Sequence, residues 1–186
     1  MNLLAERLTA KYTVFSLSFE GIGKEVFKEE SAFYRTICGL LYDTIYYGEV
    51  EGISDQLQEE LTVICQNDDS KVDFRKLANL ISTICGENHK PIILIIDEVD
   101  QASRYKPFQD FLGMLRNMYL RRMKRPTFQS VMLAGIYDIK NLKFKIHSDE
   151  EYLYNSFWNI AENVELEKML YAMLFHGQSV SNQPDI

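Results

Sequence analysis

The apolar positions change period several times along the chain, and each change predicts an element. The clearest stretch is Pro91-Ile92-Ile93-Leu94-Ile95-Ile96-Asp97-Glu98-Val99-Asp100. Five apolar residues run unbroken and end on two adjacent carboxylates. Such a run predicts a strand buried on both faces, as in a parallel sheet covered by helices. From Tyr12 to Phe19, Thr13, Phe15, Leu17 and Phe19 alternate with Val14, Ser16 and Ser18, which predicts a less buried strand. Gly21 and Gly23 break the chain after it. Thr127 to Ala134 predicts a third strand, ending at Gly135.

Helical spacing fills the intervals. Ser31 is placed to cap a helix whose face is Phe33, Ile37, Leu40, Leu41 and Ile45, closed by Gly48 and Gly52. Ser54 is placed to cap the next, with Leu57, Leu61 and Ile64 inward. Phe74, Leu77, Ala78, Ile81, Ile84 and Cys85 mark a third, closed by Gly86. Pro107 opens a fourth, with Phe108, Phe111, Leu112, Leu115, Met118, Tyr119 and Arg122 inward and Pro126 stopping it. Leu3, Leu4 and Leu8 mark a helix face with no capping residue ahead of it. Residues 138–156 read as polar loop, 162–175 as a last helix and 178–186 as a disordered tail. Strands separated by helices imply parallel pairing through crossovers, hence an α/β layered sheet.

Composition narrows this. With 186 residues the chain suits one domain. A net charge of -7 argues against global attraction to nucleic acid or an anionic membrane. Cys38, Cys65 and Cys85 are widely spaced in apolar helical patterns and read as buried free thiols of a reducing compartment. No secretory leader is visible at Met1 to Ala10, and no apolar run approaches the roughly 20 residues of a membrane span. A cytoplasmic protein is expected. His89, His147 and His176 lack metal-ligand spacing, and Trp158 reads as a packing anchor. Arg116, Arg121, Arg122, Lys124 and Arg125 read as a solvated helix end that complements the helix dipole, with an arginine finger or small nucleic-acid contact as the functional alternative.

The chemistry lies at Asp97-Glu98. In open α/β sheets ligands bind at the carboxyl ends of strands. In P-loop ATPases a strand of this type ends in Asp-Glu, the Asp supporting Mg²⁺ and the Glu activating water. Alternation along a strand would aim the two acids to different sides. Asp-Glu-Val-Asp also fits a helicase box, but no Ser-Ala-Thr-like element follows. A metal-dependent phosphatase or nuclease would need further strand-end acids, for which Asp138 alone is near. The acids could also merely open a loop. The loop Gly-x-x-x-x-Gly-Lys-[Ser/Thr] that wraps phosphates is missing. The partial match Gly21-Ile22-Gly23-Lys24 has Ser18 where the first Gly belongs and Glu25 where the hydroxyl belongs, and reads as a turn.

Several blocks resemble the AAA-like P-loop ATPases of bacteria, in particular a group of predicted ATPases. They are Tyr12-Thr-Val-Phe-Ser-Leu-Ser-Phe19, Pro91-Ile-Ile-Leu-Ile-Ile-Asp-Glu-Val-Asp100-Gln-Ala-Ser103, Phe108-Gln-Asp-Phe-Leu112, Thr127-Phe-Gln-Ser-Val-Met-Leu-Ala-Gly-Ile-Tyr-Asp-Ile-Lys-Asn141 and Asn155-Ser-Phe-Trp-Asn-Ile-Ala161. The resemblance covers about residues 1–161 and implies an ATPase domain there, with 162–186 as a C-terminal helix and tail. It implies ATP and Mg²⁺ as ligands, Asp97 as the metal-side acid and Glu98 as the catalytic, water-activating acid. In that family a Gly-Lys-Thr-Thr loop directly precedes the helix that here begins at Met1, so the chain reads as truncated before or within it. The polar γ-phosphate sensor of the family has only Tyr137 as a weak counterpart. The expected fold is α/β, a three-layer P-loop NTPase-type parallel sheet, incomplete at its N-terminal side. The expected function is a fragment of an AAA-like ATP-hydrolysing protein, inactive in isolation. The alternative is a non-enzymatic protein-interaction module on a degenerate P-loop scaffold. Without the P-loop strand beside it, Phe128 to Leu133 would be an apolar edge open to self-association.

Overall fold

The computed structural model describes residues 8–48, 50–67 and 69–135. Three parallel strands form one sheet in the order of the chain: β1 (Thr13–Ser18), β2 (Ile92–Asp97) and β3 (Ser130–Leu133). Thr13 pairs with Ile92 and Ser18 with Asp97; Ile93 pairs with Ser130 and Ile96 with Leu133. Four helices connect them: α1 (Glu30–Tyr47), α2 (Asp55–Gln66), α3 (Phe74–Glu87) and α4 (Lys106–Leu120). This is the expected α/β architecture, a parallel sheet flanked by helices as in part of a P-loop-type fold.

The burial follows from the strand patterns. Ile92 to Ile96 are each at most 4% exposed, because β2 is central and its two neighbours leave no edge. On β1, Phe15 and Leu17 are buried while Ser16 and Ser18 are exposed, so alternation there marks a strand with one covered face. Phe19, Phe27, Phe33, Phe108 and Phe111 form an aromatic cluster that joins the end of β1 to α1 and α4. Phe27 enters it from a 3₁₀ turn, Val26–Lys28, that the spacing of apolar residues did not announce.

Several local expectations are corrected. Glu29, not Ser31, caps α1; its carboxylate accepts from the backbone N–H groups of Ser31 and Ala32. A carboxylate does this as well as a hydroxyl and also complements the helix dipole. Ser31 sits inside the helix, and its Oγ accepts from Val72 N at 3.0 Å, tying down the loop before α3. Ser54 caps α2 as expected, accepting from Leu57 N at 3.3 Å. Phe74 is exposed, because Asp73 caps α3 and leaves Phe74 on the first, outward turn. Tyr119 and Arg122 do not continue the buried stripe of α4, since the helix ends at Leu120 and the chain closes in a tight turn, Lys124 N donating to Arg121 O at 2.8 Å. Arg116 lies a turn further back, half-buried and apart from the exposed residues 121–125. The third strand is shorter than 127–134, but Gln129 N to Ile92 O and Ala134 N to Ile96 O, both 2.8 Å, extend its ladder at each end.

The three cysteines are free. Burial pushes the Cys38 and Cys85 thiols up to about 12, which leaves them protonated and unreactive, as structural cysteines are. Among the described residues, no helix is long and apolar enough to cross a membrane. Leu3, Leu4, Tyr137, Asp138, His147, Trp158 and His176, the predicted helix 162–175, the tail and the boundary at 161 lie outside the described residues.

Candidate functional site

The carboxyl ends of three parallel strands meet at Ser18, Asp97 and Ala134. Asp97 ends β2, half-buried, with Phe19 N donating to its carbonyl at 3.2 Å. Its Oδ1 accepts from Glu98 N at 2.9 Å, while Oδ2 has no hydrogen bond among the described residues. A carboxylate held this way at a rigid strand end suits a hard, oxygen-seeking cation such as Mg²⁺.

Glu98 does not continue the strand. It is left-handed, φ 58° and ψ 35°, the one non-glycine residue with positive φ among those described. That conformation costs about 1–3 kcal/mol and persists only where the surroundings enforce it. Here the enforcement is visible. Val99 is fully buried, Val99 N donates to Ala134 O at 3.1 Å, and Val99–Gln101 form a 3₁₀ turn closed by Ala102 N to Val99 O. The reversal at Glu98 is what allows a fully extended β2 to pass into that turn. Strand alternation therefore does not set the directions of the two acids, as the sequence suggested; the left-handed turn does. The Glu98 carboxylate has no hydrogen-bond or ion-pair partner among the described residues.

Asp100 follows within the turn, and Ser103 Oγ donates to its carbonyl at 3.0 Å. Its carboxylate lies against Gly135 at the end of β3. A Cβ on Gly135 would stand 2.6 Å from Asp100 Oδ2 and 2.9 Å from its Cγ. Gly135 was read from sequence only as a strand terminator, yet it is the absence of a side chain there that lets the two strand ends close. No periodicity could show this, since the contact spans 35 positions and depends on the parallel pairing of β2 with β3. Gly135→Ala is expected to cost about 1–3 kcal/mol by overpacking. In an Asp100→Ala background the same change should be nearly neutral, a coupling that denaturant melts of the four proteins would measure.

The partial match at Gly21 to Lys24 is a turn, as expected. Ile22 N donates to Phe19 O at 3.3 Å, Gly21 takes φ +76°, and Lys24 is exposed. Among the described residues no group of three or more His, Cys, Asp or Glu side chains could hold a metal ion.

A family model described as an AAA-like domain matches residues 1–172. The chain belongs to the AAA-like domain family. It is thereby one of an ATPase-like, nucleotide-binding family, as the resemblance implied. No curated protein and no solved structure matches it. The order β1-β2-β3 puts Asp97-Glu98 at the carboxyl end of the central strand, the end at which open α/β sheets bind ligands.

Proposed function

We propose that this AAA-like domain carries the metal-side and water-side half of an ATP site. The observation that supports it is Asp97-Glu98 at the carboxyl end of a fully buried central parallel strand, with Glu98 turned out of the strand in a left-handed conformation. Asp97 would hold the Mg²⁺ that accompanies ATP, with Oδ2 open to it or to its water. The cation supplies charge neutralisation at the phosphates. Glu98 would accept a hydrogen bond from the attacking water and orient it in line. Tyr137 is the candidate for a γ-phosphate sensor.

The phosphate-wrapping half, on this reading, comes from a strand and Gly-x-x-x-x-Gly-Lys-[Ser/Thr] loop that pair with β3. Among the described residues β3 has only β2 beside it, and Val131 is 37% exposed. Left unpaired, that edge is also a place for self-association. A cytoplasmic, reducing setting suits the free thiols.

Without the phosphate cradle the binding energy for ATP is largely missing. This chain alone should hydrolyse ATP at the rate of a protein-free blank, and Glu98→Gln should change nothing, as a phosphate-release assay would report. Turnover well above the blank that disappears in Glu98→Gln would overturn the half-site reading.

A further inference from the structure

Two exposed surfaces among the described residues carry charge of opposite sign. The first is the C-terminal turn of α1. Tyr46 and Tyr47 are 58% and 76% exposed there, Tyr42 stacks on Tyr46 at 5.6 Å, and Tyr46 meets Tyr47 edge-on at 5.1 Å. Asp43 lies one turn back on the same helix and Glu51 just beyond its end, both exposed. The helix has no basic residue in its last turn. The charge pattern is one-sided: residues 36–70 hold eight Asp and Glu and no Lys or Arg, against a net charge of -7 for the whole chain. The negative end of the α1 dipole adds to it.

The second surface is the turn after α4. Arg121 to Arg125 are all exposed, and Met123 is 91% exposed. The Arg122 guanidinium lies 4.1 Å over the Tyr119 ring, and Arg125 donates to Asn79 Oδ1 at 2.6 Å. Arg121 and Lys124 have no side-chain partner among the described residues. Nor does any ion pair engage Asp43 or Glu51 there.

The end of α3 sits between the two surfaces. On one side the backbone at Gly52 packs on it, so that a Cβ would stand 3.2 Å from Glu87 O, and Ser54 N and Oγ both donate to the Glu87 carboxylate at 2.9 Å. On the other side Gly86 packs against Pro126, with a Cβ 3.3 Å from its Cγ. The loop that follows the tyrosine face and the residue that follows the basic turn therefore both rest on the end of α3, which leads into β2.

We propose that this end is a self-recognition surface, in which the basic turn 121–125 of one copy seats on the Tyr46–Tyr47 face of a second copy. A guanidinium or ammonium over a tyrosine face gains cation–π attraction, and the Met123 thioether packs against a ring edge. Asp43 and Glu51 receive Arg121 and Lys124. The loops flanking both surfaces rest on the end of α3, and a two-fold axis beside it makes both contacts at once, which closes the assembly as a dimer. The proposal stands independently of the nucleotide reading.

Sedimentation equilibrium on the whole chain tests it. The expected result is a reversible dimer that weakens at least about tenfold when NaCl rises from about 50 mM to about 500 mM. Arg121→Glu with Lys124→Glu should be monomeric, and so should Asp43→Lys with Glu51→Lys. A mixture of these two variants should dimerise, since the mixed pair has one contact with native charges and the other with both charges reversed. Circular dichroism of each variant confirms that it is folded. Several outcomes would overturn the proposal. They are a wild-type monomer at all salt concentrations, including one that binds an oligo-arginine peptide, and an association that survives both variants and high salt, as pairing through the β3 edge would.

Discussion

Phe33→Ala should leave this protein close to unfolded at 25 °C. Phe33 is fully buried on α1 and sits at the centre of the aromatic cluster, with ring centroids 6.1 Å from Phe19, 6.0 Å from Phe27, 6.3 Å from Phe108 and 5.9 Å from Phe111. Truncating such a ring costs about 3–5 kcal/mol in lost transfer energy and cavity. Edge-to-face partners add to this, at about 0.5–1.5 kcal/mol per pair. Domains are stable by only about 5–15 kcal/mol, so the loss consumes most of the margin. The site cannot collapse easily, because the surrounding rings come from β1, the 3₁₀ turn, α1 and α4, and moving any one of them strains the rest. Phe33→Leu should fall between the two. Urea denaturation followed by tryptophan-independent far-ultraviolet circular dichroism checks the order. A Phe33→Ala protein within about 1 kcal/mol of wild type would show that the cluster is not the centre of stability.

The second large effect concerns Glu98. In a protein that joins this chain to a Gly-x-x-x-x-Gly-Lys-[Ser/Thr] loop, Glu98→Gln is expected to lower ATP turnover at least about 100-fold, the usual scale for losing a positioned proton acceptor. Gln has the same shape and can take the same left-handed backbone, so the turn should survive and only the charge is lost. Glu98→Gly provides the complementary comparison. It removes the positive-φ cost at this position, so the variant should be at least as stable as wild type while turning over as poorly as Glu98→Gln. A gain in stability in Glu98→Gly with turnover lost as in Glu98→Gln would show that the left-handed backbone carries a cost that is kept along with the carboxylate. Unchanged turnover in Glu98→Gln would remove Glu98 from the reaction.

Much of the fold was legible because its signals are local. An unbroken apolar run has one stable home, the centre of a covered parallel sheet, and β2 lies there. The alternation of β1 and the three-to-four spacing of the helices likewise reflect which face each element must bury, and the Ser54 cap needs only the residues beside it. The misread positions are those where two residue types compete for one local role. Glu29 caps α1 in place of Ser31, and Phe74 begins a helix without facing its core.

The acids at 97 and 98 were visible as a strand end followed by charge, and the family match over residues 1–172 agrees with the resemblance that they and the flanking blocks carried. What the linear pattern could not carry was direction. Glu98 is turned by a left-handed backbone that exists because Val99 is anchored in the core and tied to Ala134 across the sheet. Gly135 matters because parallel pairing brings it onto Asp100. The sequence by itself determined the three strands, the four helices between them, their order and the chemical class of the strand-end residues, since hydrophobic period and residue type act over a few neighbours. Only the tertiary structure decided the strained turn, the Asp100–Gly135 contact and the packing of Gly52 and Pro126 on the end of α3. Each of these depends on residues tens of positions apart being pressed together by a shared core.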